Sequence, residues 1–391
     1  MRHTKNILYG VLLCMICGGL VSPAALLAAT KIRPAVTVDD FVAHVPIHVL
    51  GSATGNPQGL APGQIKEAYD LPSTGGSGTI ALIAAFDDKE AESDLAAFDS
   101  RFGLAACTTA NGCFEKHMMG KTLKQSSGWA LETALDTQWS HAIAPKAKIL
   151  LVEATSDSGT ALLKAVDYAR SRSDVVAISM SWGGPEFKNE ASDDGHFESS
   201  HGAVFFAASG DDGHAASWPA ASPNVVAVGG TALSFDKNGA YASEKAWSGS
   251  GGGVSAYETE PAFQKDYSIS KANGKRAIPD VSFDADPSSG YSVYHASAGT
   301  SAAATGRGWY VVGGTSAGSP QWAAIRALDR TTGTSSASFL ALLYADKAAA
   351  DNSRFFRDIT SGKNGSCVFY CTARKRYDYV TGLGSPVTYR F

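Results

Sequence analysis

Charge is scarce in this chain. Of 391 residues only 18% are charged, and neither sign dominates: 33 lysines and arginines face 37 aspartates and glutamates, for a net charge of -4. That balance excludes the basic surface on which nucleic-acid binding depends. Proline is sparse as well, 15 residues against 41 glycines, a ratio that excludes a disordered linker protein and points to many tight turns. Beyond the first thirty positions no apolar run is long enough to cross a bilayer, so stable membrane insertion of the remainder is not expected. What is present is 44% hydrophobic residues, enough for a substantial core in one large domain or two ordinary ones.

The first 29 residues stand apart. Arg2, His3 and Lys5 precede an apolar run from Ile7 to Val21, and small residues lead to Ala28 and Ala29. This is the order of a secretory signal peptide. The run is short for a membrane anchor, and neither Cys14 nor Cys17 follows the small residue that a lipoprotein signal wants. Residues 1–29 are therefore read as a signal peptide, residues 30–60 as a short lead-in or remnant prosegment, and 61–391 as the functional domain of a secreted or periplasmic protein. Four cysteines then remain, and their close spacing favours two local disulfides, Cys107–Cys113 and Cys367–Cys371. Zinc is the weaker alternative, for want of a C-x-x-C spacing or a histidine pair.

From Thr79 onward, short apolar runs alternate with helical patterns. Thr79–Phe86, Ile149–Glu153, Val175–Trp182, Val204–Ala208 and Val225–Gly229 read as strands buried on both faces, with helices at Ala91–Arg101 and Leu162–Arg170. The fold class is α/β, with a mostly parallel central sheet flanked by helices. In such sheets reactive groups collect beyond the carboxyl ends of the strands. The glycine-rich stretch Ser248–Gly253 is too short for an interdomain linker. A loop closely approached by substrate backbone is as good a reading as a plain turn.

Three segments carry candidate chemistry. Gly313–Pro320 (GGTSAGSP) places Ser316 just ahead of an apolar helical stretch, where free N–H groups and the helix dipole favour negative charge. A capping serine would look the same. In Trp129–Pro145 (WALETALDTQWSHAIAP), Glu132 and Asp136 are four apart and share a helix face. Two like charges there weaken a helix, and apolar neighbours desolvate them. Both effects raise a carboxyl pKa, so the pair is expected to share a proton and to suit a general base working in acid. In Ala207–Gly213 (AASGDDG), Asp211 or Asp212 follows a strand and is either a turn cap or a protonated hydrogen-bond donor to an oxyanion.

Together with HAIAPKAKILLVEA, WPAASPNVVAVGGT and the C-terminal TGLGSP, these motifs resemble, in order from about Leu60 onward, the sedolisin family of serine-carboxyl peptidases. The resemblance implies a subtilisin-like three-layer domain and a secreted, acid-active endopeptidase acting on polypeptides. It implies Ser316 as nucleophile, Glu132 as general base, Asp136 as its proton-sharing partner and Asp211 as the oxyanion acid. Ser179–Gly184 (SMSWGG) is similar to the family's substrate-flanking strand. The resemblance also implies one structural calcium, held by Asp358 and Ile359 in RDITSG and by Asp378. Arg374 and Arg376 depart from that pattern, because relatives carry glycines just before the second aspartate. The lead-in departs too, being far shorter than the family's folded prosegment, and a monomer is expected. Two rival readings stand beside this one. The first is an Asp–His–Ser peptidase using His141 with Asp87 or Asp88, and the second a binding protein that keeps the fold without turnover.

Overall fold

The computed structural model describes residues 37–296, 306–329, 335–345 and 354–391. The signal-peptide reading of residues 1–29 lies outside the described residues, as do residues 30–36 of the lead-in.

Continuous apolar runs become the central strands, because a strand covered on both faces has no use for alternation. Strand β1 (His48–Thr54) belongs to the lead-in. Strand β2 (Thr79–Ala85) is buried at every position and pairs in parallel, residue for residue, with β4 (Lys148–Ala154). Outside β4 lies β3 (Phe114–Met118), which sequence periodicity did not disclose. On the other side follow β5 (Val175–Met180), β6 (Val204–Ala208) and β7 (Val226–Phe235), all parallel. Strand β8 (Tyr241–Ala246) closes the edge antiparallel to β7, and β9 (Val281–Asp284) joins β7 in parallel. The sheet order is β8-β7-β6-β5-β2-β4-β3, with β9 also on β7. Fully burying side chains such as Ile80, Leu82, Leu151 and Ile178 contributes about 1.5–3 kcal/mol each.

Helices α1 (Ala91–Phe102), α2 (Ser127–Ile143), α3 (Gly159–Arg170) and α4 (Gly318–Leu328) flank the sheet. Helix α2 is buried all round from Trp129 to Ile143, wedged among the sheet, α1 and α4. A helix so enclosed is expected to be apolar on every side, so its carboxylates stand out. Helix α4 begins at Gly318, where a Cβ would lie 2.6 Å from Val228 Cγ1. The missing side chain lets the helix start hard against β7.

A second sheet, of three strands, leads the chain into α4. Strands β10 (Tyr291–His295) and β11 (Gly308–Gly313) pair antiparallel, and β1 adds antiparallel to β11 from His48↔Gly313. Both disulfides are formed, Cys107–Cys113 and Cys367–Cys371. The glycine-rich Ser248–Gly253 is approached closely by the chain's own backbone. Cβ atoms at Gly251 and Gly252 would meet Ser209 O and Tyr379 O at 2.1 Å.

Candidate active site

Strand β11 ends at Gly313 and delivers a single turn, Thr315–Ala317, before α4. Gly314 makes this delivery possible. Its φ is +119°, and a Cβ there would lie 2.1 Å from Pro46 O and 2.6 Å from Asp211 Oδ2. No L side chain fits either demand.

Ser316 is fully buried and its Oγ donates to Glu132 Oε2 at 2.9 Å. Glu132 and Asp136 project from one face of α2, as the four-residue spacing requires. Ser181, just past β5, donates from Oγ to Asp136 Oδ1 at 2.7 Å. The two carboxyls are close enough for each to bear on the other's titration. Among the described residues, Glu132 Oε1 and Asp136 Oδ2 are buried and meet no donor, an arrangement in which one proton held between two neighbouring carboxyls lowers the cost of burial. Burial, then the neighbouring acid, pushes Glu132 far above the ordinary carboxylate range. Burial pushes Asp136 up as well, against the Ser181 hydroxyl, which favours its charge.

Asp211 follows β6 through Gly210. Its Oδ1 accepts from Thr315 N and Thr315 Oγ1, both at 2.8 Å, and its Oδ2 lies 3.1 Å from His48 Nε2. Desolvation raises its pKa, while His48 and Thr315 oppose the rise. Asp212 is exposed to solvent. The choice that spacing left open between the two aspartates is therefore made by the turn, which points Asp211 inward.

His141 sits at the far end of α2, turned toward α1. Its Nε2 faces Ala105 O at 2.8 Å and Asp99 Oδ1 at 3.6 Å. Asp87 pairs with Lys116 at 2.7 Å, and Asp88 accepts from Glu90 N at 3.1 Å. These three residues do not form a triad with Ser316.

One component was invisible to sequence reasoning. Residues 41–48 run through the site, bridging it at Val42–Ser158 and His44–Gly183 and turning tightly at Val45–Ile47 before β1. Ala43 N donates to Asp157 O at 2.9 Å, and His44 exchanges two backbone hydrogen bonds with Gly183, at 2.9 and 3.0 Å. The Pro46 carbonyl accepts the Ser316 N–H at 3.3 Å. The segment has no periodicity and its partners lie over a hundred residues away, so no local signal marks it.

The expected calcium ligands do come together, but as a loop closed by its own donors. Asp378 is buried, and its Oδ1 accepts from Val380 N and Thr381 N at 2.8 and 2.9 Å. Its Oδ2 accepts from Arg374 N and Thr381 Oγ1 at 3.2 and 3.0 Å. Asp358 Oδ2 accepts from Arg376 N at 3.0 Å, and Arg376 takes the left-handed φ of +67° that a glycine would take at no cost. Four donors fill the lone-pair positions of Asp378. With Arg374 and Arg376 adjoining, Asp358, Ile359 and Asp378 do not fit a calcium ion.

Residues 124–339 match the subtilase family, and the chain belongs to it. Sphericase shares the fold at a TM-score of 0.51 and 20% identity, over 86% of this chain and 99% of that one. The sharper likeness is to two curated relatives and one further solved structure. Sedolisin of Pseudomonas sp. (strain 101) is 27% identical over 85% of this chain, and kumamolisin of Bacillus sp. (strain MN-32) 29% identical over 87%. Pseudomonas sedolisin, solved as a serine-carboxyl proteinase with two molecules of pseudo-iodotyrostatin, superposes with a TM-score of 0.69 at 26% identity, covering 85% of this chain and 96% of that one. Within the subtilases, this chain is a member of the sedolisin family. It spans 60% and 64% of the lengths of those two curated relatives.

Proposed function

We infer that the chain is a serine-carboxyl endopeptidase that cuts polypeptides most readily in acid. The observation that carries this is the 2.9 Å hydrogen bond from Ser316 Oγ to a buried glutamate whose pKa is pushed up by burial and by the neighbouring Asp136. Glu132 takes the hydroxyl proton as Ser316 Oγ attacks the scissile carbonyl carbon. The tetrahedral oxyanion is met by the Ser316 N–H and by protonated Asp211. Glu132 returns the proton to the departing amine, and water then releases the acyl group by the same route. Asp136 lets Glu132 cycle without creating an isolated buried charge.

The pH dependence follows from Asp211. Only its neutral form donates to an oxyanion, so activity is present below its folded pKa and is lost as pH rises through it. Burial sets that pKa above the usual aspartate value. The reading takes residues 1–29 as the export signal. It needs no second copy, since every group comes from one chain, and it gives calcium no part. Among the described residues no helix is long and apolar enough to cross a membrane.

Unfolded casein is the test substrate. Hydrolysis in acid that disappears in Ser316→Ala and in Glu132→Gln, and survives in His141→Ala, is the expected result. Activity in Glu132→Gln equal to wild type would refute the base assignment.

A further inference from the structure

The segment that threads the site shows how a peptide lies there, and one of its side chains is held far more firmly than the rest. From Phe41 to His44 the side chains alternate inward and outward, as an extended strand requires. Phe41 is 2% exposed, whereas Val42 is 50% exposed. The Phe41 ring meets Trp218 edge-on at 4.8 Å and Phe187 at 5.8 Å. Two glycines make room for it. A Cβ at Gly184 would lie 2.9 Å from Phe41 Cε2, and one at Gly159 would lie 3.2 Å from Phe41 Cδ1. Backbone pairing fixes the register, because Gly159 N donates to Phe41 O, and Ala43 and His44 pair as described above. Counting back from Pro46, whose carbonyl accepts the Ser316 N–H, Phe41 is the sixth residue before the bond presented to the nucleophile.

We propose that Trp218, Phe187, Gly184 and Gly159 form an aromatic subsite that selects polypeptides carrying a phenylalanine-like side chain six residues before the cleaved bond. The proposal rests on the peptidase reading for its consequence, but the pocket and its occupant do not depend on turnover. Apolar contact there is remote from the reacting atoms, so its effect appears as binding, in KM more than in kcat. Outward-facing positions such as that of Val42 carry no such preference.

The test has two arms. In the first, a peptide copying residues 39–50 and its Phe41→Ala counterpart compete in one tube for the full-length enzyme in acid. Any enzyme still covered by its own segment cancels from the ratio of rates. The parent peptide should be cut at least about tenfold faster, as the loss of a buried phenyl ring implies. A Val42→Ala counterpart should stay within about twofold. Gly184→Val in the enzyme should erase the preference by filling the pocket. Equal cleavage of parent and Phe41→Ala peptides overturns the proposal.

The second arm needs no turnover. In a full-length Ser316→Ala protein, the amide protons of Ala43 and His44 should exchange slowly. Adding Phe41→Ala should speed their exchange about tenfold or more, while Val42→Ala leaves it unchanged. Unchanged exchange in Phe41→Ala also overturns the proposal. If the exchange difference appears but no peptide is ever cut, the peptidase reading and the claim on specificity both fail, and a peptide-binding pocket remains.

Discussion

Two pairs of acids in this molecule look alike in sequence and differ in what surrounds them. Glu132 and Asp136 on one side, and Asp358 and Asp378 on the other, are short-range or loop-linked carboxylates beside aromatic residues. In the first pair Glu132 Oε1 and Asp136 Oδ2 have no hydrogen-bond donor among the described residues, and the other two oxygens accept from the hydroxyls of Ser316 and Ser181. In the second, four protein donors close around Asp378 and a backbone N–H takes Asp358. Burial is common to Glu132, Asp136 and Asp378. What separates the pairs is satisfaction: a carboxyl left short of donors is costly to keep and is free to move a proton, while a saturated one holds a loop.

The harshest way to break that contrast is Glu132→Gln. It removes the proton acceptor while keeping shape, and kcat should fall by about a thousandfold or more. Purified variant and wild type compared on the same peptide in acid give the answer. A loss below tenfold would mean that the unsatisfied pair is not the base. Next in size is Asp211→Ala, expected to cost about 10²–10³ in kcat for the loss of one oxyanion donor. Asp211→Asn separates donor from acid: an amide donates at any pH, so residual activity should no longer decline toward alkaline pH.

The saturated pair should respond in stability instead. Asp378→Asn leaves one acceptor oxygen where two were used and should destabilise the fold by about 1–3 kcal/mol. Thermal unfolding would show this, with kcat well below Tm unchanged. A chelator should leave Tm where it was. A drop in Tm on chelation would mean that calcium displaces the N–H donors from this loop after all.

Much of this contrast was legible before any coordinates. Strands such as Thr79–Ala85 announce themselves because a doubly covered strand is apolar throughout, and the E-x-x-x-D spacing fixes two acids on one helix face whatever the context. Spacing alone could not tell Asp211 from Asp212, and only the resemblance chose Asp211, since the physical choice depends on the positive φ of Gly210 and on Thr315, a hundred residues away. His141, five residues beyond Asp136, could be placed on another helix face from spacing, but the partners it meets there, Asp99 and Ala105, come from the fold. The segment from Phe41 to His48 was unreadable for a simpler reason. Its backbone pairs with Asp157, Gly159, Gly183 and Ser316, which any extended sequence can do, and the pocket that holds Phe41 is assembled from residues more than a hundred positions away.

That segment also reaches the acid pair's third partner, and there the smallest effect is expected. His48 Nε2 faces the same Asp211 Oδ2 that an oxyanion donor must protonate. The hydrogen bond raises the pKa of His48 and favours the ionised form of Asp211. Asp212 adds to the negative charge around the imidazole, and Trp247 packs edge-on against it at 5.6 Å. Removing the imidazole takes away the largest influence holding the Asp211 pKa down. In His48→Ala the folded pKa of Asp211 therefore rises, its donor form persists to higher pH, and the alkaline limb of the activity profile moves upward. A profile of kcat/KM against pH for His48→Ala and wild type measures the shift. Movement of that limb toward acid would show that His48 stabilises the neutral carboxyl instead, and an unmoved limb that His48 does not tune Asp211.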